Sequence, residues 1–382
     1  MENVFKLYKG TKIKKTLAII LICSCYSCAS IYNADYKKPE LVDKLASNSV
    51  KELHKKLHLI AEKGFAVGHQ DATSYGIGWR HENNSTIIKS DVNEVAGDFP
   101  AVFGFDIGGI EHANEYNLDS VPFNDMRKLM IDAYKKGGII TISWHADNPV
   151  SGGNAWDKTP AVANILIGGN QREKYELWID RVADFLQSLQ YNGENIPIIF
   201  RPFHEMNGSW FWWGEGNCQA SDYIKLWQET VVLLRDKHNL HNVLYTYSPN
   251  KLNPNDNYMK YYSGDDYVDI LGIDIYDFNN SEEYIKSMVH DLALVKSIAS
   301  EKEKLFAFTE TGLEKIPTEK WFTEVLYPNL ENSGISWVLF WRNYKTTHHY
   351  MPYKGHSSEA DFIKFEKLPK TLFLRDIKNI NN

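Results

Sequence analysis

Ile198-Ile199-Phe200-Arg201-Pro202-Phe203-His204-Glu205-Met206-Asn207-Gly208 runs from a block of apolar residues directly into Arg, His and Glu. An unbroken apolar start suits a parallel strand covered on both faces. The polar end suits the place where such strands carry chemistry, at their C-terminal tips. This reading predicts a strand over Ile198 to Glu205. The same signature recurs along the chain, at Phe65 to His69, Ala101 to Ile107, Ile139 to His145, Val243 to Ser248, Val268 to Tyr276, Leu305 to Thr311 and Ile335 to Asn343.

Between these runs lie segments of helical period. Trp178, Val182, Phe185, Leu186 and Leu189 form one; Trp227, Val231 and Leu234 another; Trp321, Val325 and Leu326 a third. Ile285, Met288, Val289, Leu292 and Val295 follow Ser281, the expected N-cap. Leu53, Leu57 and Ile60 mark a helix expected to close the bottom of the barrel. Strands alternating with helices, and no Gly-rich phosphate loop after the first strand, predict an α/β fold: a closed (β/α)8 TIM barrel forming a single catalytic domain. The 382 residues contain no linker, repeat or low-complexity stretch that would divide it.

The N-terminus reads as an export signal. Lys6, Lys9, Lys12, Lys14 and Lys15 precede the apolar run Thr16 to Ile22, too short to span a bilayer. Cys23, Cys25 and Cys28 follow, in a setting that resembles a bacterial lipoprotein box. Residues 1–28 are therefore expected to be a lipoprotein signal and 29–382 the catalytic domain. The expected location is beyond the inner membrane, periplasmic or at the outer membrane or cell surface, with membrane contact only through the lipid. Cys218 alone remains in the mature part, so no intrachain disulfide is expected there.

A net charge of −7, with no basic patch interleaved with aromatics, argues against a nucleic-acid partner. The 13% of aromatic residues is high; such a surplus usually fills the core, and it also suits a site that stacks the apolar faces of sugars. The strand ends concentrate such groups: Gly68-His69-Gln70-Asp71, Phe105-Asp106, Trp144-His145, His204-Glu205, Asp274-Ile275-Tyr276, Thr309-Glu310 and Trp341-Arg342-Asn343. Glu205 and Glu310 end the fourth and seventh strands, on opposite sides of the mouth. Glycoside hydrolysis needs such a pair of carboxyl groups, in different protonation states. Arg201 is placed to keep one carboxylate ionised, and Tyr276 to donate a hydrogen bond to it. Taken singly, each glutamate reads as a solvated rim charge; the pair among these aromatics reads as catalysis. His348, His349 and His356 lack the ligand spacing of a metal site, and the chemistry needs no metal or other cofactor.

The run His204-Glu205-Met206-Asn207-Gly208-Ser209-Trp210-Phe211-Trp212-Trp213-Gly214 resembles the acid/base motif of glycoside hydrolase family 26. Gly68-His69-Gln70, Phe105-Asp106, Trp144-His145 with Asn148-Pro149, Gly272-Ile273-Asp274-Ile275-Tyr276 and Thr309-Glu310-Thr311-Gly312 match its other landmarks in order. The resemblance covers about Phe65 to Phe365. It implies a (β/α)8 barrel, retention of configuration and, for most members, β-1,4-mannanase activity on mannan or manno-oligosaccharides. It implies Glu205 as acid/base and Glu310 as nucleophile. His145, His204, Trp210, Asp274, Tyr276 and Trp341 fall where the family lines its substrate subsites, and Trp156 lies in a loop that supplies an aromatic platform. Related barrel glycosidases carry Asn where His204 stands, so the contact to the sugar 2-hydroxyl is expected to differ. Of the cluster Trp210, Trp212 and Trp213, one is expected to stack on sugar and the others to pack beneath the loop. Asp106 reads equally as a sugar ligand or a loop cap. A β-1,3-1,4-glucanase or xylanase of the same family remains an alternative. A non-catalytic glycan-binding lipoprotein is the further one, and the presence of both glutamates speaks against it.

Overall fold

The structure, a computed structural model, describes residues 41–82 and 85–380. The expected signal over 1–28, with Cys23, Cys25 and Cys28, lies outside the described residues.

Eight parallel strands make a closed barrel: β1 (Phe65–Gln70), β2 (Val102–Asp106), β3 (Ile139–Trp144), β4 (Ile198–Pro202), β5 (Val243–Tyr247), β6 (Ile270–Asp277), β7 (Leu305–Leu313) and β8 (Trp337–Phe340). Each pairs with its sequence neighbours, and β8 closes on β1 from Ala66↔Trp337 to His69↔Phe340. Nearly every strand residue is buried, which explains the unbroken apolar runs. A short strand, Thr371–Leu372, adds to the first residues of β1.

The principal helices are α1 (Asn48–Lys63), α2 (Phe123–Lys135), α3 (Arg172–Gln187), α4 (Ala220–Val232), α5 (Ser281–Glu301) and α6 (Glu359–Glu366). Two departures from the sequence reading have local causes. The β5–β6 connection carries two short 3-10 turns, Tyr258–Tyr261 and Asp265–Tyr267, in place of a helix. The N-cap of α5 is Asn280, whose side chain accepts from Glu283 N; the Ser281 hydroxyl instead donates to Asp277. No described helix is long and apolar enough to cross a membrane.

α1 closes the barrel floor. Ser47 caps it by accepting from Val50 N at 3.3 Å. Its stripe of Val50, Leu53, Leu57 and Ile60 joins a cluster with the first residues of the strands, including Ala66, Val102, Ile139, Ile199, Leu244, Ile270 and Leu305. Each fully buried aliphatic side chain contributes about 1.5–3 kcal/mol. With the floor sealed by apolar contacts, the polar strand ends are left at the opposite face.

Candidate active site

β4 stops at Pro202, short of the expected Glu205. Pro202 has no N–H for the ladder, and Phe203 (φ 47°) and Glu205 (φ 55°) take left-handed backbone, uncommon for residues with side chains. Tertiary bonds hold this turn. Tyr223 OH donates to Phe203 O at 2.9 Å, Trp213 Nε1 to His204 O at 2.9 Å, and Glu205 N to Ser248 O at 2.8 Å. Asn207 clamps the turn to the β5 loop, donating to Asn250 O at 2.8 Å and accepting from Asn250 N at 2.7 Å. Trp212 and Trp213 pack wholly beneath the loop, while Trp210 is half-buried and its Nε1 donates to Glu205 Oε2 at 2.8 Å. Gly208 lets Trp210 lie down: a Cβ there would sit 2.1 Å from the indole ring.

Glu310 is aimed by an irregularity. The β6–β7 register shifts between Ile273 and Asp274, so Thr309 is skipped and Asp274 faces Glu310; the β7–β8 register shifts over the same residues. Such bulges re-aim side chains near active sites. Glu310 is almost enclosed. Tyr276 OH donates to its Oε1 at 2.6 Å, and Arg201 Nη2 donates to its Oε2. Arg201 Nη1 donates to Asp274 Oδ2 at 2.7 Å and to Ser248 Oγ at 3.1 Å. Thr309 Oγ1 donates to Asp274 Oδ1 at 2.6 Å. Asp274 has no exposed surface, so its carboxylate lies behind Glu310 and away from the open mouth.

These environments separate the two glutamates. Burial first, then the charges of Glu310 and Asp274, push the Glu205 pKa well above the ordinary range, against the opposing Arg201 charge and Trp210 bond. The proton is thus favoured on Glu205, while Glu310 sits between two donors, Arg201 and Tyr276.

The histidines are also distinguished. Burial works against charge on His145, but the Asp106 carboxylate outweighs it and raises the pKa. Asp106 Oδ2 accepts from His145 Nδ1 at 2.6 Å and from Ser143 Oγ at 2.6 Å; its Oδ1 accepts from Gly108 N at 2.8 Å. Burial opposes ionisation of Asp106, yet these partners bring it down to about 2. Asp106 therefore spends its oxygens on fixing His145. His204, edge-on to His145 at 4.6 Å, is driven well below the ordinary histidine value by burial and by Arg201 and His145. Trp156, 47% exposed, stacks on His145 at 5.2 Å, and Trp341 meets it edge-on at 6.2 Å. His145, Trp156, His204, Glu205, Trp210, Tyr276, Glu310 and Trp341 thus share the barrel mouth.

One network escaped the sequence reading. Tyr75 OH donates to Asp71 Oδ2 at 2.9 Å, and Arg342 bonds Asp119 and approaches Tyr75 OH at 3.2 Å. Burial and the Asp119 charge raise Asp71 to about 7. Asp71 and Arg342 sit at strand ends already marked as polar, which was the available signal; Tyr75, in the short strand Tyr75–Gly76, and Asp119 lie far apart in sequence. Among the described residues, Glu111, His112 and Asp147 bring possible metal-ligand atoms within 4.8 Å of one another. The Glu111 carboxylate, however, already accepts from Gly109 N, Asp147 N and Trp144 Nε1 at 2.9, 2.7 and 3.0 Å, so the group reads as a loop brace.

Comparison with known proteins agrees with this geometry. The family model for glycosyl hydrolase family 26 matches residues 42–349. A mannan endo-1,4-beta-mannosidase of Bifidobacterium adolescentis is 33% identical over 353 residues, 86% of this chain and 35% of that protein. The chain covers 58% and 64% of the next two curated relatives. Among solved structures, a GH26 beta-mannanase from Bacteroides ovatus is 42% identical, with a TM-score of 0.82 over 87% of this chain and 98% of that one. The catalytic domain of a Bacillus sp. JAMB-750 endo-beta-1,4-mannanase is 32% identical, with a TM-score of 0.81 over 90% and 95%.

Proposed function

The chain belongs to glycosyl hydrolase family 26, and from that premise we propose that it is a retaining endo-β-1,4-mannanase acting on mannans, galactomannan and glucomannan included, by double displacement. The observation that carries the reading is the unequal treatment of two neighbouring glutamates. Glu310 is bonded to Arg201 and Tyr276, whereas burial and the Glu310 charge raise the Glu205 pKa well above the ordinary range. The names of the curated relatives and of the solved structures support mannan over mixed-linkage glucan or xylan.

In the first step Glu310 attacks the anomeric carbon while Glu205 passes its proton to the leaving oxygen. Forming the glycosyl ester removes the Glu310 charge, one of the causes that raise the Glu205 pKa. Glu205 then becomes easier to deprotonate. In the second step it takes a proton from the attacking water, and the carboxylate of Glu310 leaves. Arg201, Asp274 and Tyr276 set the position of Glu310; Asp274 acts through Arg201 and does not touch sugar. His145, His204, Trp156, Trp210 and Trp341 line the path of the substrate. Mannose has an axial 2-hydroxyl that hinders attack on the relaxed chair, so binding along the chain must help distort the ring.

Product analysis on mannan, mixed-linkage β-glucan and xylan side by side tests the substrate. Manno-oligosaccharides from mannan, with the other two left intact, are expected; cleavage of β-glucan or xylan with none of mannan would replace this reading.

We further infer that residues 1–28 direct export and that Cys25 or Cys28 carries a lipid, holding the enzyme at a membrane beyond the cytoplasm. The lysines, the short apolar run and the cysteine cluster support this.

A further inference from the structure

Phe278 is 87% exposed, the highest value among the large apolar side chains of the described residues. A lone exposed apolar residue ordinarily needs no explanation. This one follows the last residue of β6, and its ring centroid lies 6.3 Å from that of Tyr276, the residue that donates to Glu310.

The turn presenting it is firmly tied. On one side Asp277 is buried, and its carboxylate accepts from Trp321 Nε1 at 2.9 Å, Ser281 Oγ at 2.8 Å and Asn280 N at 2.9 Å. On the other, Asn279 takes left-handed backbone (φ 62°), and Asn280 caps α5 by accepting from Glu283 N at 3.3 Å. Both flanks are fixed, and the aromatic ring between them is left in solvent. The entropy of ordering the turn is thus met in the free protein, and a ligand that covers the ring need not supply it.

We propose that Phe278 is a binding platform for a sugar ring of the substrate chain, beyond the ring whose bond is cut. It would stack against the apolar face of that sugar and favour long chains over short ones. The chemistry fits: one face of a hexose ring in a β-linked chain presents C–H groups, which pack on an aromatic plane. Trp156 offers a second open aromatic face from the β3 loop, so the mouth carries platforms on separate rims. The proposal rests on the reading of the barrel as a glycan-cleaving enzyme.

The test measures kcat and KM of wild type, Phe278→Ala and Phe278→Trp on β-1,4-manno-oligosaccharides of increasing length. The Ala variant is expected to show about a three- to tenfold rise in KM on the longer chains, as for loss of one aromatic contact. Its kcat on short oligosaccharides and its melting temperature should hold, and the Trp variant should recover the loss on longer chains. Equal kcat/KM for wild type and Phe278→Ala at every length would overturn the platform while leaving mannan cleavage standing. If wild type cleaves another β-glycan and no mannan, the substrate reading fails instead, and the same series on that glycan decides Phe278.

Discussion

The indole N–H of Trp210 donates to Oε2 of Glu205 over 2.8 Å, so a residue five positions along the same loop tunes the proposed acid/base. The bond favours the carboxylate and therefore lowers the Glu205 pKa, opposing burial and the neighbouring carboxylates that raise it. Removing the donor with Trp210→Phe should raise that pKa further. In the proposed mechanism Glu205 acts in its protonated form, so activity should be lost as pH rises through its pKa. The alkaline limb of the kcat/KM profile should accordingly move to higher pH. A limb that stays in place or moves to lower pH would disconnect Trp210 from the proton donor.

The glutamates should fail in different ways. Glu310→Ala should abolish turnover on every substrate. Glu205→Ala should lose about 10²–10⁴-fold on mannan yet keep the first step on aryl glycosides with good leaving groups, which need little protonation. Stopped-flow release of the aryl group checks this; a Glu205→Ala enzyme equally impaired on both substrate types would contradict the role.

Arg201 lies between two buried carboxylates. Arg201→Met leaves them facing each other without a counter-charge, a defect worth about 3–5 kcal/mol. Burial already raises Asp274 to about 7 with Arg201 in place, and without that opposing charge its pKa should rise further; the penalty is full above this raised folded-state pKa and shrinks as pH falls towards the unfolded value and the acid protonates. Denaturant melts at neutral and mildly acidic pH should show a larger loss at neutral pH. An equal loss at both would show that packing, not charge, dominates.

Asp106 should be the main group that raises the His145 pKa. In Asp106→Asn burial is opposed only by the smaller effect of the Glu310 charge, with Arg201 acting alongside burial, and the His145 pKa should fall. Imidazole ¹⁵N shifts followed through a pH titration report this directly. A His145 that titrates as in wild type would leave Asp106 as a loop cap only.

Lipid attachment predicts that replacing Cys25 and Cys28 together with Ser moves the protein from the membrane fraction to the soluble one. A double variant as membrane-bound as wild type would remove the anchor.

Much of this was legible in the sequence because the barrel writes its period plainly. Strands covered on both faces read as apolar runs, and the apolar stripe of α1 marked the floor. Polar residues at the ends of those runs had no core to enter, which exposed Glu205, His145 and Glu310 as candidates. The geometry that makes them work was less legible. The left-handed turn at Phe203 and Glu205 carries no glycine and exists because Tyr223, Ser248 and Trp213 hold it. The register shift at Thr309 leaves no mark in composition. The part played by Asp106 could have been argued from strand order, since β2 and β3 are neighbours and Asp106 pairs with Ser143, two residues before His145. The Asp71, Tyr75, Asp119 and Arg342 network joins three distant stretches of chain, and only closure of the barrel brings them together.

Direct attack by Glu310 followed by hydrolysis of the glycosyl ester, as proposed, inverts the anomeric centre twice. Proton NMR of manno-oligosaccharide cleavage, recorded before mutarotation, reads the outcome. The new reducing end should appear first as the β-anomer. A dominant α-anomer at the earliest times would mean a single displacement by water and would contradict attack by Glu310.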